Sequence, residues 1–537
     1  MIYADRGPSP LETGKPGAAD RDAMSGWWGA FSIQRFVDRT PLAHAHEDAT
    51  GWLSYLQQFH DRNFWFTDDS VQAWAYEETY DNWQDRYGMD AVVAVYHSGH
   101  GRMDGDGVFL APLGASWDSR SDTASNRMAF GNDKANYVFW SACDSLRVLD
   151  GHSPVRTWGG HGPGPRMIFG FESTSVDSPD LGRRFWEKWR AGQTFCDAWL
   201  NASWEICHSQ SPSVAATGPT QLEAVNRLNS ERNFSREHVA DTWYAWRWFH
   251  TRESLREVLT QPPVNPWTVR LKPRDPSREL GALGQLAHFP QAALQEVHIE
   301  RQGVLSAGSG DRCVAAAPRA VRWVKLAEAN HRNTRALPTE RAVELARQFV
   351  RSQAQVADEA ELVLDGVHDL MQNSGTKDGS QSGEPVSLQT HVTFRQTFDG
   401  IPVITPGRGE FRVVLDNDGT VVQATLSTRR TTGETRTPSS AVAAPGGKDT
   451  AALAATGVRD PLRALDEAQS RRVAHLAASV AGDVGAGLVV RDVPGTFEVG
   501  YEVEGNEAYP AARKLVELGG PDGLYRKLRW VVAPLAR

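Results

Sequence analysis

Cysteine is scarce in this sequence: Cys143, Cys196, Cys207 and Cys313 are the four in 537 residues. So few in so long a chain exclude a disulfide framework. A cytoplasmic setting is therefore expected, with export by a leaderless route left open. Long apolar runs are also missing. No stretch approaches the roughly 20 residues a membrane-spanning helix needs, so no membrane partner is expected. Met1 to Asp22 is rich in Gly, Pro, Asp and Arg and has no basic stretch leading into an apolar run. It reads as a flexible tail of residues 1–22 without a secretory signal. Excess positive charge is lacking as well: 57 Lys and Arg against 66 Asp and Glu leave a net charge of −9. Non-specific nucleic-acid binding, which clustered positive charge drives, is not expected.

The composition, 40% hydrophobic and 23% charged, is that of a soluble globular protein. The length predicts several domains. Tryptophan divides the chain: 17 of 19 lie at or before Trp267, and only Trp323 and Trp530 follow. Different cores are expected on the two sides. Gln261-Pro262-Pro263-Val264-Asn265-Pro266 reads as a linker, and polar low-complexity stretches follow at 373–384 and 431–450. The expected units are a first domain at 23–260, a connecting region at 261–334, a second domain at 335–430, a linker at 431–450 and a third unit at 451–537.

The first half alternates strands and helices. Phe31–Phe36, Ala91–Tyr96, Tyr137–Ala142 and Met167–Phe171 read as strands. Trp52, Tyr55, Leu56 and Phe59 mark one face of a helix. A longer helical pattern runs from Leu181 to Leu200, with Gly192 expected to break or bend it. Continuous apolar strands between helices predict a largely parallel α/β sheet covered on both faces. The second half predicts α+β modules. Thr339 caps a helix whose apolar face is Ala342, Val343, Ala346, Phe349 and Val350, His391–Phe398 and Glu410–Leu415 are strands, and Asp416-Asn417-Asp418-Gly419 is a hairpin turn. Ala464–Ala481 and Phe497–Val503 are a fainter helix and strand.

Two of the apolar strands end in reactive side chains, the first in Gly99-His100-Gly101 and the second in Ala142-Cys143-Asp144. Open α/β sheets place their chemistry at the carboxyl ends of parallel strands. If these strands are neighbours, His100 and Cys143 meet as a dyad. A free thiol, with a pKa of about 8.5, is mostly protonated at neutral pH, so a nearby imidazole must take its proton. The N–H groups of Gly101 and Cys143 are the candidate oxyanion donors.

Other groups are candidates beside a bland reading. Asp144 and Asp177, with Asp180, are candidates to line a pocket for a basic substrate residue, or are simply solvated. His161, in the Gly/Pro-rich loop 151–165, reaches the cleft or is a loop residue. His97 with His100 and Cys143 suggests a zinc site, against a structural His97 facing the other way. Asp104-Gly105-Asp106-Gly107 resembles part of a calcium loop or is a turn. No cofactor is expected, calcium being the one candidate. Cys196, Cys207 and Cys313 read as packing residues.

The residues around the dyad carry a family resemblance. Tyr96-His97-Ser98-Gly99-His100-Gly101 resembles the Ser-Gly-His-Gly motif of metacaspases and other caspase-like cysteine peptidases, and Trp140-Ser141-Ala142-Cys143 resembles their second motif. The resemblance spans roughly residues 24 to 255. It implies a caspase-like, mostly parallel sheet flanked by helices, catalysis by His100 and Cys143, and a protein or peptide substrate. Ser141 stands where metacaspases have an acidic residue, which leaves the P1 preference open. Thr393-Phe394-Arg395-Gln396-Thr397-Phe398-Asp399-Gly400-Ile401-Pro402-Val403 resembles the signature strand of fungalysin/thermolysin propeptide and PepSY-type modules, with 451–537 as a possible degenerate second copy. That implies that the C-terminal region inhibits or chaperones the peptidase. The alternatives are a catalytically inactive caspase-like scaffold whose C-terminal modules bind a partner, and a zinc hydrolase.

Overall fold

The computed structural model describes residues 2–3, 9–11, 26–148, 153–158, 163–252, 267–286, 298–299, 305–309, 312–317, 319–325, 328–352, 360–436, 459–478 and 488–535. The first half is built on β1 (Trp28–Ser32), α1 (Ala45–Leu56), β2 (Phe64–Thr67), β3 (Ala94–Ser98), β4 (Tyr137–Ser141) and β5 (Met167–Phe171). The five strands are parallel, in the order β2-β1-β3-β4-β5. Every residue of β1, β3, β4 and β5 is buried, which is why they read as unbroken apolar runs.

Helices α2 (Leu181–Arg190) and α3 (Phe195–Ile206) share one core with α1, on one face of this sheet. Gly192, with φ 87°, ends the first of the pair, and the Thr194 side chain caps the second by accepting from the Asp197 N–H. Both faces are covered, though the second carries no long helix among the described residues. The opposite core, around Phe31, Val95 and Trp140, packs against short helical turns and a small antiparallel sheet. Its large aromatic side chains, Tyr76, Phe109 and Trp158 among them, cover that face without long helices.

The sheet then changes character. β6 (Pro212–Gly218) lies antiparallel to β5, and after α4 (Gln221–Ser230) β7 (Trp243–Thr251) lies antiparallel to β6. The region expected only to connect domains contributes β8 (Arg312–Ala316) and β9 (Val321–Lys325), besides a helix at Pro276–Leu286. Helix α5 (Thr339–Ser352) starts at the expected Thr339 and is followed by β10 (Glu361–Thr376), β11 (Val386–Phe398), β12 (Glu410–Asp416) and β13 (Val421–Leu426). β7 pairs along its whole length with β10, so one sheet runs through both halves as β7-β10-β11-β12-β13-β9-β8. The protein is α/β with a large mixed sheet, not a mostly parallel one. Between consecutive antiparallel strands a tight turn suffices, as at Asp416–Gly419 between β12 and β13, with Gly419 at φ 88°.

The last unit has α6 (Pro461–Ala478), β14 (Glu498–Glu504), β15 (Glu507–Gly519) and β16 (Arg526–Pro534), with β15 between β14 and β16. Thr431–Arg436, in the stretch expected to be a linker, pairs with Thr268–Leu271 at the edge of this second sheet. Leu515 and Leu528 of the unit are buried in the first-half core, and Trp530 packs on it. The C-terminal hairpin is thus part of the first half's interior.

Candidate active site

Strands β3 and β4 are neighbours in register, Ser98 opposite Ser141. His100 and Cys143 follow two residues beyond each, so one rim of the sheet carries both. The Gly99 N–H donates to the Ser141 carbonyl at 3.3 Å. A Cβ added at Gly101 would lie 2.8 Å from the Cys143 carbonyl oxygen and 2.5 Å from the Phe109 ring. Glycine is required there because the two strand ends close on each other.

His100 is buried, and its Nε2 donates to the Thr40 carbonyl at 2.9 Å. Its Nδ1 has no hydrogen-bond partner among the described residues. The neutral ring therefore carries its proton on Nε2 and a free lone pair on Nδ1. Burial first, then the positive charge of Lys527, pushes its pKa down to about 4. Cys143 is also buried; its Sγ donates to the Arg526 carbonyl at 3.0 Å and accepts from the Ser175 N–H at 3.2 Å. Burial pushes the thiol up, against the pull of Lys527.

Sequence reasoning missed the residues that fill this rim. Lys527, on β16, is buried, and its Nζ donates to Gly99 O at 3.2 Å, Ser141 O at 3.1 Å and Ser175 Oγ at 2.8 Å. Its neighbour Leu528 donates to Ser175 O at 3.0 Å and accepts from the Asp177 N–H at 2.9 Å. Tyr525 lies 6.4 Å from the His100 ring, centroid to centroid, and the guanidinium groups of Arg39 and Arg102 stack on its ring. Arg526-Lys527-Leu528-Arg529 is legible as a basic, alternating strand, but nothing in it announces a partner some 380 residues earlier.

Beside the thiol a cavity of about 260 Å³ opens, lined by Gly101, Cys143, Asp144, Glu172, Leu524 and Arg526. Asp144 follows the thiol at φ 52°, and its N–H donates to Ser173 O. Its carboxyl is raised by burial, against Arg147 and Arg526. Glu172, not anticipated, accepts from the Val148 N–H, and loss of solvation pushes its pKa up to about 8. Asp177 is buried and accepts from the Ala43 and His44 N–H groups and from Arg529 of β16. Burial alone would raise its carboxyl; Arg529 and its other partners hold it below the ordinary value. With β16 docked, its charge is taken by this chain's own arginine rather than left open to a substrate's basic residue. His161 lies outside the described residues.

His97 points into the aromatic core: its Nδ1 bonds the Tyr76 hydroxyl at 2.9 Å and its ring packs on Trp140. Among the described residues, the His, Cys, Asp and Glu group close enough to hold a metal ion is Asp81, Asp85 and Asp133, two of them exposed. His97, His100 and Cys143 do not form such a group. The Asp104 carboxylate accepts from the N–H groups of Asp106 and Val108, closing a turn. Cys196 and Cys207 belong to the first core, where burial pushes their thiols to about 12 and 11. Cys313 donates to the Ala191 carbonyl.

A Ser–His–Asp chain was also unforeseen. Ser32 Oγ bonds His46 Nδ1 at 2.8 Å, and His46 Nε2 bonds Asp68 Oδ2 at 3.2 Å. Ser32 is fully buried and accepts from the Trp65 indole. With its oxygen enclosed, the chain ties β1, α1 and the end of β2 together.

A family model described as a domain of unknown function, DUF6345, matches residues 28–248, the part of the chain that carries this rim. The match does not reach the second half. No curated protein matches the chain. Among solved structures, the Arg-specific cysteine proteinase gingipain R is similar at 10% identity and a TM-score of 0.23, over 46% of this chain and 56% of its own. No helix among the described residues is long and apolar enough to cross a membrane.

Proposed function

We propose that this protein is a cysteine endopeptidase held in a blocked state by its own C-terminal strand. The observation that carries the reading is the rim itself. Adjacent parallel strands deliver a histidine anchored through Nε2, with a free Nδ1 lone pair, and a thiol. In the proposed reaction His100 takes the Cys143 proton, and the thiolate attacks the substrate carbonyl. The N–H groups of Gly101 and Cys143 hold the oxyanion. His100 then protonates the leaving amine, and water, deprotonated by His100, hydrolyses the thioester and frees the thiol. The block is the segment Leu524–Arg529, which covers Cys143 and seats Lys527 across the strand ends. This is the inhibitory role implied by the propeptide resemblance, assigned to one strand.

One observation favours the scaffold reading: His100 is 1% and Cys143 2% exposed. The two readings part in one experiment. The full chain and a Lys527→Ala/Arg529→Ala variant are treated with a thiol-reactive peptide library and mapped by mass spectrometry. On the peptidase reading, labelling concentrates on Cys143, rises at least about tenfold in the variant as the thiol is uncovered, and is accompanied by peptide turnover that Cys143→Ala abolishes. A variant that unblocks Cys143 and still shows no turnover means a scaffold.

A further inference from the structure

A cavity of about 340 Å³ lies where α2 of the first half meets the β8–β9 turn and the Gly407-Arg408 loop of the second. Its wall is strongly cationic, in a chain whose net charge is −9. From α2 come Arg183, Arg184 and Lys188, which already have carboxylates. Arg183 pairs with Asp180 and Glu187, and Lys188 and Arg184 share Glu205. From the other side come Arg319, Arg322 and Arg408. No carboxylate lies within ion-pair distance of these three among the described residues.

Arg322 is the sharpest case. It is 3% exposed, and its polar partners are neutral: the Ala191 carbonyl at 3.2 Å and Gln423 Oε1 at 2.8 Å. Its Nε has no hydrogen-bond partner among the described residues. Asp197 and Glu205, which also lines the cavity, favour its charge without pairing with it, and burial still makes that charge costly. Burial, and for Arg408 the crowding of Arg319 and Arg184, pushes Arg322 and Arg408 down to about 9 and 10. The lining also has an apolar part, from Ala191 on the α2 side and Ala315, Ala317 and Ala320 on the β8–β9 side.

We propose that this cavity binds a compact oligophosphate, held by Arg319, Arg322 and Arg408 and joining the two halves of the protein. Several positive charges in a small volume call for an anion with several charges in an equally small one. Guanidinium forks match phosphate oxygens in pairs. The alanines of the lining can take an organic group on the phosphate chain, so a free oligophosphate and a nucleoside triphosphate share the chemistry. The proposal does not depend on the thiol reading, because its residues lie outside that rim.

The test is isothermal titration of the full chain at low ionic strength with inorganic tripolyphosphate and, separately, with ATP, with melting curves alongside. The expected result is one site per chain for tripolyphosphate, weakened by salt and accompanied by a raised Tm. ATP binding tighter than tripolyphosphate assigns the lining alanines to the organic group, and equal or weaker binding assigns the site to the bare phosphate chain. Arg319→Gln/Arg408→Gln should cut affinity roughly tenfold or more per arginine lost, whereas Arg278→Gln, an exposed arginine elsewhere, should leave it unchanged. Without ligand, the double variant should melt no lower than the parent, since it relieves charge crowding. No binding of tripolyphosphate, or equal binding by the double variant, overturns the proposal.

Discussion

Gly101 shows how little space the rim leaves. Alanine there would push a methyl group against the Phe109 ring and the Cys143 carbonyl, neither of which is free to withdraw. Gly101→Ala should cost about 1–3 kcal/mol of stability by overpacking, read as a lower midpoint in urea. Asp68 is the clearest titrating residue outside the rim. Burial would raise its carboxyl, but His46 and the Arg35 and Gln34 N–H groups bring it to about 2, from 3.8. A carboxyl lowered on folding stabilises above its unfolded pKa and loses that contribution as pH falls through the folded value. The parent should therefore lose stability between about pH 4 and pH 2 by more than Asp68→Asn does, measured as Tm against pH. Converging acid and neutral slopes in the two proteins would contradict this role. Histidine and cysteine at the ends of apolar runs were legible in the sequence, because continuous hydrophobicity marks a buried parallel strand whatever it pairs with. The tautomer of His100 was not, since it depends on the carbonyl of Thr40, 60 residues away.

At the scale of elements, β16 is the piece that lies over the rim. It belongs by pairing to the last sheet and by burial to the first core. The Arg529–Asp177 pair fixes its docking. Asp177→Asn leaves a buried guanidinium short of its counter-charge, which costs about 3–5 kcal/mol when such a pair is broken. Hydrogen exchange should accelerate across 526–534 before it does in β3 and β4. Uniform acceleration through the sheet would mean that β16 is not a separately releasable element. The Asp177 carboxyl lies below its ordinary value, so the docking it supports is present at neutral pH and weakens below about pH 4. The elements themselves were largely legible: the break at Gly192, the start at Thr339 and the turn at Asp416–Gly419 each rest on local backbone chemistry. The strands between 261 and 334 were not, because short runs such as Arg312–Ala316 carry too few residues to show a period.

In the whole molecule, one mixed sheet crosses from the parallel half to the antiparallel half through β7 and β10, and the C-terminal hairpin folds back over the rim. The two halves are joined a second time around the cationic cavity between α2 and the β8–β9 turn. Tryptophan is unevenly shared among the cores: the first two clusters are built on Trp28, Trp52, Trp140 and Trp199 while the third holds Trp323 alone, yet the first core also takes in Leu370, Leu388, Leu515 and Leu528 of the second half. Amino-acid order by itself determined the apolar strands, the helix breaks, the tight turns and the reactive residues at two strand ends, because each follows from hydrophobic period or backbone conformation within a few neighbours. Only tertiary structure decided that a lysine near the C-terminus lies across those strand ends, that Asp177 serves this chain's own arginine, and that cations from both halves crowd one cavity. Such contacts join residues far apart in the chain, and their energies depend on burial and field, which exist only once the chain has closed on itself.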